Sequence, residues 1–468
     1  MGPRATLALV RSLDAALGRA PRGRLLTLPY GVSAGGLVVA ATLPIVFLHV
    51  DYQPSISLPA GATFKLSDAM VLLTALAAVS AAARGGVRRL LPGMPVWVTG
   101  ALFLAWIVAA TFYPLLSSRA YAWKTHFVTA GEFWEYALLA PALPLLLRRR
   151  TDALLAAGAL LAWTVVATGV GLAQWAGWSG LGGWGRGLRQ PSFLGTHDFA
   201  ALAGMTLGLG LVSLLWGVED RRLRRGAWLA VVTGTIAFVL GGATAGVVGL
   251  VPAAVLAAAI ARRRRRPFAR RTLAAALAAT AIATLGVVAL RAVDFHQFFN
   301  FVGAKPSQTA TTKNIQTYSQ RTLLAYIGIR IWLHHPVFGV GWQGSAEPSA
   351  FVRELPAAHR RFPHVAPIAF PSAQRRYGVQ LLYVQVLADL GVVGLGLLFA
   401  LAGAGVVTGA KGALHAEPLP AFAATVGLFW IVLALGLWTA EGLVAGLPLD
   451  ALTWLGFGLV AVRQLDAA

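Results

Sequence analysis

The chain has 468 residues, 57% of them hydrophobic and only 12% charged, where soluble domains carry roughly 25% charge. That composition excludes a soluble globule, and the length has room for about a dozen spans of ~20 residues. The absence of cysteine excludes disulfides, thiolate metal sites and a cysteine nucleophile. A net charge of +22 is tested first as a topology signal and only then as a nucleic-acid one.

In chain order, a basic tail holding Arg4, Arg11, Arg19, Arg22 and Arg24 precedes the apolar run 31–50. That run exceeds the roughly 7–15 residues of a signal-peptide core, so it reads as a retained anchor. Further apolar runs lie near 62–83, 94–116, 129–147, 153–177, 200–217, 226–243, 244–261, 272–290, 379–409, 421–443 and 447–462. They predict an all-α polytopic membrane protein of about twelve transmembrane helices, with both ends on one side. The expected division is a tail plus nine spans over 1–290, one large and partly helical loop over 291–378, and three spans over 379–468.

Charge supports this order. The tail, "RGGVRR" (84–89), "RRR" (148–150), "RRLRR" (221–225), "RRRRRPFARR" (262–271), Lys411 and Arg463 fall on one side and hold most of the 39 basic residues. By the positive-inside rule that side is cytoplasmic. "GGATAG" (241–246) supplies a tight outer turn between two spans. The loop 291–378 then faces outward, and long ordered loops are usually functional. It carries Arg291, Lys305, Lys313, Arg321, Arg330, Arg353, Arg360, Arg361, Arg375 and Arg376.

Within that loop, "SQRTLLAYIGIRIWLHH" (319–335) reads as a helix. Leu324, Ile327 and Ile331 form one apolar row, Ser319 is a candidate cap, and Pro336 stops the helix. At 100° per residue Arg321 lies within about 20° of Trp332, while Arg330 lies about 180° away. Arg321 borders the apolar, small-residue face and so points toward protein or membrane, while Arg330 with His334 faces water. The continuation "HPVFGVGW" is a turn in which Gly339 and Gly341 open conformations closed to other residues. It either cradles an anion with backbone N–H groups or reverses the chain.

Outside that loop, "WGRGLRQPSFLGTHDFAA" (184–201) sets Arg186, Arg189, His197 and Asp198 at the rim of a span, where charges often mark a substrate path. Asp198 is a candidate helix cap. Lys65 and Asp68 read as a local i, i+3 ion pair, and Glu132 and Glu135 are candidate bases or arginine partners. No zinc-type histidine pair, Walker loop, G-x-S-x-G elbow or acidic D-x-D cluster occurs. The expectation is an outer site that uses neither metal nor nucleotide.

The segment from Arg321 through "WLHHPVFGVGW" to Trp342 resembles the Arg–x–Trp–hPxxGvG block of the O-antigen ligase and O-antigen polymerase superfamily. "YVQVLADLGVVG" (383–394) and "SFLGTHDFAAL" (192–202) are similar to two further segments of that family. The resemblance implies a GT-C-like membrane glycosyltransferase in the bacterial inner membrane, its site facing the periplasm. Such enzymes move a glycan from a polyprenyl (undecaprenyl) pyrophosphate carrier onto a lipid A-core sugar or another glycan, without metal or cofactor. It implies that Arg321 and Arg189 grip the pyrophosphate, with Arg186, Lys124, Gly339 and Gly341 as further candidate substrate contacts.

Two positions depart from the family pattern. Gln380 and Leu381 stand where the family usually has His-Asn, and Ala243-Thr244 where Ser-Arg is frequent. Gln380 can bind a sugar hydroxyl but cannot take its proton, so either another base serves, His364 or His335, or the acceptor differs. A polymerase with a lipid-linked glycan acceptor is the nearest alternative. A non-catalytic transporter or flippase of lipid-linked anions is the other, and it would be expected to carry charges near mid-bilayer.

Overall fold

A computed structural model of the protein describes residues 31–57, 63–117, 121–178, 180, 182–183, 185–265, 270–303, 317–365, 370–374, 378–443 and 448–466. The tail 1–30, Lys305, Lys313, Arg375 and Arg376 lie outside the described residues. A helix covers each apolar run predicted above. The order is α1 (Ala34–Val46), α2 (Leu66–Ala81), α3 (Met94–Phe112), α4 (Trp123–Ala137), α5 (Leu139–Leu146), α6 (Arg150–Ala176), α7 (Thr196–Leu215) and α8 (Arg221–Gly241). There follow α9 (Thr244–Arg263), α10 (Arg270–Leu290), α11 (Ala292–Val302), α12 (Thr317–His334), α13 (Pro348–Arg361), α14 (Leu382–His415), α15 (Pro418–Leu437) and α16 (Pro448–Leu459). Among the described residues, strands are confined to one short antiparallel pair, β1 (Ser55–Ser57) and β2 (Thr63–Lys65).

Among the described residues, eight helical segments are long and apolar enough to cross a membrane, with Leu66–Leu116 counted as one segment that bends at Gly85. The chain is an all-α polytopic membrane protein. Helices α7 and α15 are its axis, with 89% and 83% of their apolar windows buried. A helix apolar on every side belongs inside a bundle. Small residues let the backbones close up, as membrane helix packing requires. A Cβ on Gly436 would meet the Gly249 backbone at 2.2 Å, and one on Gly234 would meet Leu207 N at 2.7 Å. Thr164 and Thr206 hydrogen-bond between α6 and α7 at 2.6 Å.

The basic runs gather at one end of this bundle. Arg148 donates to Ala81 O and its carbonyl accepts from Asp466 N. Arg264 donates to Ala416 O, and Arg463 to Thr408 O. The 221–241 helix runs from that end to the opposite one, where Gly242 turns it into α9. With ~1.5 Å rise per residue, the intervening apolar helix is about 30 Å long, the thickness of a bilayer core.

At the opposite end, α11, α12 and α13 build a second, smaller core. Leu323, Leu324, Ile327, Ile331, Phe351 and Phe370 are its centre, closed by Ala388 of α14. The predicted apolar row of α12 is thus buried. The helix starts at Thr317, so Ser319 lies inside it, buried, and is not its cap.

The 336–342 turn locks this unit onto the bundle. The N–H groups of Val340 and Gly341 donate to the carbonyls of Ala388 and Asp389 at 2.9 Å each, and Val392 N donates to Pro336 O at 2.9 Å. Trp342 N donates to Ala110 O at 3.1 Å, its indole donates to Thr129 Oγ1 at 2.9 Å, and Tyr113 OH donates to Gly339 O. Helix α14 is itself broken at Gly391, φ +67°.

Candidate active site

Three arginines converge where the outer helix ends meet. Arg189 is carried by the loop between α6 and α7, which Gln174 fixes by exchanging hydrogen bonds with the Ser192 backbone at 2.9 Å each way. Gln190 N donates to Leu240 O at 2.7 Å, which sets Arg189 against Gly242, where a Cβ would come within 2.9 Å of its side chain. Arg291 stands between α10 and α11. Its Nε lies 2.8 Å from Asp294 Oδ2 and 3.2 Å from Tyr318 OH, and its guanidinium lies over the Tyr318 ring. Tyr318 OH in turn meets Thr244 Oγ1 at 2.8 Å.

Arg321, just under one turn on from Tyr318 along α12, donates through Nη2 to His197 Nε2 at 3.1 Å and lies 3.7 Å from Glu441 Oε2. His197 Nε2 is 3.5 Å from the same carboxylate oxygen. An imidazole accepting at Nε2 carries its proton on Nδ1. That Nδ1 is buried without a partner, and so is Arg321 Nε. Buried donors left unmade cost about 1–3 kcal/mol each, so both are ready for an incoming acceptor.

Electrostatics points the same way. Burial, then the charges of Arg291 and Arg321, lower the Arg189 guanidinium to about 10. Burial likewise lowers Arg321, with Glu441 pulling it back. Burial raises the Glu441 carboxyl above its ordinary range, against the pull of Arg321 and Arg189. Three guanidiniums therefore share two carboxylates, Asp294 and Glu441, around unfilled donors. Such a set takes an anion with two or more oxygens in a planar, bidentate way.

Residues 229–399 match a family model described as O-Antigen ligase. The match supports the O-antigen ligase and polymerase superfamily over that segment. No curated protein matches the chain. The matched segment contains Arg291, Arg321 and Gln380, while Arg189, His197 and Glu441 reach the cluster from outside it.

Arg321 and Arg189, singled out in the sequence, are thus brought to one cluster, together with the rim residue His197. Asp198 does not cap its own helix; its carboxylate accepts from Leu449 N at 3.3 Å and so ties α7 to α16. Arg186 is exposed along Gly177, and Lys124 is exposed at the start of α4 with its ammonium 5.9 Å from the Trp123 ring centre. His364 packs edge-on to Phe301 with ring centres 5.0 Å apart, in the aromatic part of the smaller core. His335 lines a separate cavity beside His334.

Gly339 and Gly341 do not open toward an anion. The N–H groups of Val340 and Gly341 go to α14 and that of Gly339 to His335 O, and a Cβ at Gly339 would sit 2.3 Å from the Asp389 carbonyl carbon. Of the two open readings of this turn, the contacts support chain reversal. Arg330 does not stand free in water either: its Nε meets Glu354 Oε2 at 3.1 Å. Lys65 pairs with Glu132 at 3.4 Å, and Asp68 accepts from the Lys65 backbone N–H.

Two members of the cluster were passed over in the sequence, Arg291 as one loop charge among many and Glu441 as the end of an apolar run. Glu441 had a readable signal, because an ionisable residue inside a predicted span is a functional-site candidate by default. Its position also bears on the missing histidine. Val379, beside Gln380, sets its carbonyl 2.9 Å from the Cβ position of Gly442, so the Gln380 slot and Glu441 lie on adjoining strands of chain.

Proposed function

We propose that this protein is a ligase-like glycosyltransferase. It takes a glycan from polyprenyl pyrophosphate and delivers it to a lipid-linked or glycan acceptor at the outer face of a bacterial inner membrane. The observation that carries the reading is the convergence of Arg189, Arg291 and Arg321 around unfilled donors at the end of the bundle away from the basic runs. The segment 291–378 is then the periplasmic loop, and both termini are cytoplasmic.

In this reading the arginines hold the two phosphates. An acceptor hydroxyl attacks the anomeric carbon, the bond from that carbon to the pyrophosphate oxygen breaks, and polyprenyl pyrophosphate leaves with the electron pair. Charge grows on the leaving oxygen, where fixed guanidiniums stabilise it without reorganising. The acceptor's proton goes to Glu441, the carboxylate nearest Arg321, in place of the imidazole absent at Gln380. Gln380 binds an acceptor hydroxyl. A diphosphate is already a good leaving group, so the base contributes no more than about 10²–10⁴-fold.

The experiment is a purified reaction with a polyprenyl-pyrophosphoryl glycan and candidate acceptors in EDTA. Transfer is expected to persist, and the product identifies ligase or polymerase by which lipid carries the longer glycan. Activity lost on chelation and restored by Mg²⁺ or Mn²⁺ would overturn the arginine-only mechanism. Movement of the intact donor across the bilayer without transfer would establish a flippase instead.

A further inference from the structure

A cavity of about 230 Å³ opens between the C-terminal end of α12, the turn after it and α13. It is distinct from the arginine cluster, and its lining is that of a carbohydrate site. Tyr121 gives an aromatic wall, and His334, His335, Glu347, Arg353 and Glu354 give polar ones. The carboxylates are compensated. Glu354, nearly fully buried, meets Arg330 Nε at 3.1 Å, His334 Nε2 at 3.3 Å and Arg353 Nε at 3.8 Å. Glu347 meets His126 Nε2 at 2.8 Å and accepts from Ala122 N at 3.3 Å. A lining with paired charges, both donors and acceptors, and one ring face favours an uncharged, hydroxyl-rich ring over an ion.

Its place relative to Arg321 gives it a role. His334 and His335 follow Arg321 by 13 and 14 residues on or just past one helix, so at 1.5 Å rise the cavity is about 20 Å along α12. His335 also comes within about 40° of the Arg321 direction at 100° per residue. A glycan leaving a pyrophosphate held at Arg321 and running along α12 arrives there after several sugar rings. We infer that this cavity is a distal subsite that binds an uncharged sugar ring of the donor glycan, remote from the bond that is broken. The inference rests on the proposed glycosyl transfer, and it adds a preference for donors long enough to reach the cavity.

The test uses the full chain in lipid nanodiscs and two donors on the same polyprenyl pyrophosphate, one with a single sugar and one with a multi-sugar glycan. The longer donor is expected to show a KM roughly tenfold lower, the scale of one or two net hydrogen bonds, at similar kcat. Ala350→Phe, which puts a ring into the cavity from its α13 wall, should erase that difference and leave the single-sugar KM unchanged. Arg353→Ala, at an exposed rim position, should reduce the difference. Equal KM for both donors in the wild type, or a length effect that survives Ala350→Phe, overturns the subsite while leaving glycosyl transfer standing. If neither donor is transferred, the glycosyltransferase reading fails, and the subsite is decided by saturation-transfer NMR with the free oligosaccharide. Signal lost in Ala350→Phe and kept in Arg321→Ala supports it; signal unchanged in Ala350→Phe overturns it.

Discussion

Arg321 and Arg330 share a helix but answer to different groups, one to His197 and Glu441, the other to Glu354. Arg321→Ala is therefore expected to lower transfer by roughly 2–5 kcal/mol, a few powers of ten in rate, and Arg189→Ala comparably, with membrane insertion unchanged. Arg330→Ala should keep most of kcat and lower thermal stability, because Glu354 loses one of its partners, by about 1–3 kcal/mol. Steady-state rates and unfolding midpoints of the three variants check this; equal rate losses for Arg321→Ala and Arg330→Ala would contradict it. Glu441 makes a pH prediction. Burial raises its carboxyl above the ordinary range, and the base must be ionised, so the wild-type rate falls as pH drops through that raised value. Glu441→Gln should lose the acidic limb and no more than about 10⁴-fold in rate, whereas a shared limb in both proteins would assign the titration elsewhere. Arg321 was legible because it heads a motif on a periodic helix, and Arg189 because it sits at a rim. Their meeting was not: His197 and Arg321 are 124 positions apart, and only tertiary packing brings them together.

The segment 336–341 and the break in α14 form one joint between the outer unit and the bundle. The joint needs glycine on both sides. At Gly391 a Cβ would lie 2.0 Å from Val337 O, in a backbone conformation with φ +67°. Gly391→Ala thus combines left-handed strain of about 1–3 kcal/mol with overpacking of about 1–3 kcal/mol. A destabilisation of about 2–6 kcal/mol is expected, read as a lower unfolding temperature of the detergent-solubilised protein. An unchanged midpoint would show that the joint relaxes. Periodicity and Pro336 located the helices on either side of this turn. They did not say what the turn faces, since glycine's freedom in φ is the same whether a ligand or another backbone approaches it. The contact that decides, Gly339 against Asp389, lies between two elements, and the same holds for Lys65, whose partner proved to be Glu132 and not its i+3 neighbour.

At the scale of the molecule, the two ends of the bundle differ in what holds their charges. At one end arginines cap backbone carbonyls, as Arg148 does at Ala81, Arg264 at Ala416 and Arg463 at Thr408. At the other, Arg189, Arg291 and Arg321 crowd around two acidic groups and unfilled donors. In the proposed orientation the first end is the cytoplasmic one, and the second is the site proposed to take the anion. The hydropathy pattern already separated these ends, because helices of about 20 apolar residues fix which loops share a side. It left the shape of the outer unit open, since its core is made by α11, α12 and α13 packing on one another and not by any single periodic run.

The orientation itself is open to a direct test, because the chain has no cysteine of its own. Arg84 and Arg360 are both exposed, one at the basic end and one on α13. Arg84→Cys and Arg360→Cys should each insert normally, being surface changes of small energetic effect. An impermeant maleimide applied to intact spheroplasts is expected to label Arg360→Cys alone, and both variants after the membrane is opened. Labelling of Arg84→Cys alone in intact cells would invert the molecule. The arginine cluster would then face the cytoplasm, where a donor presented at the outer leaflet could not reach it, and the proposed transfer reaction would fall with the topology.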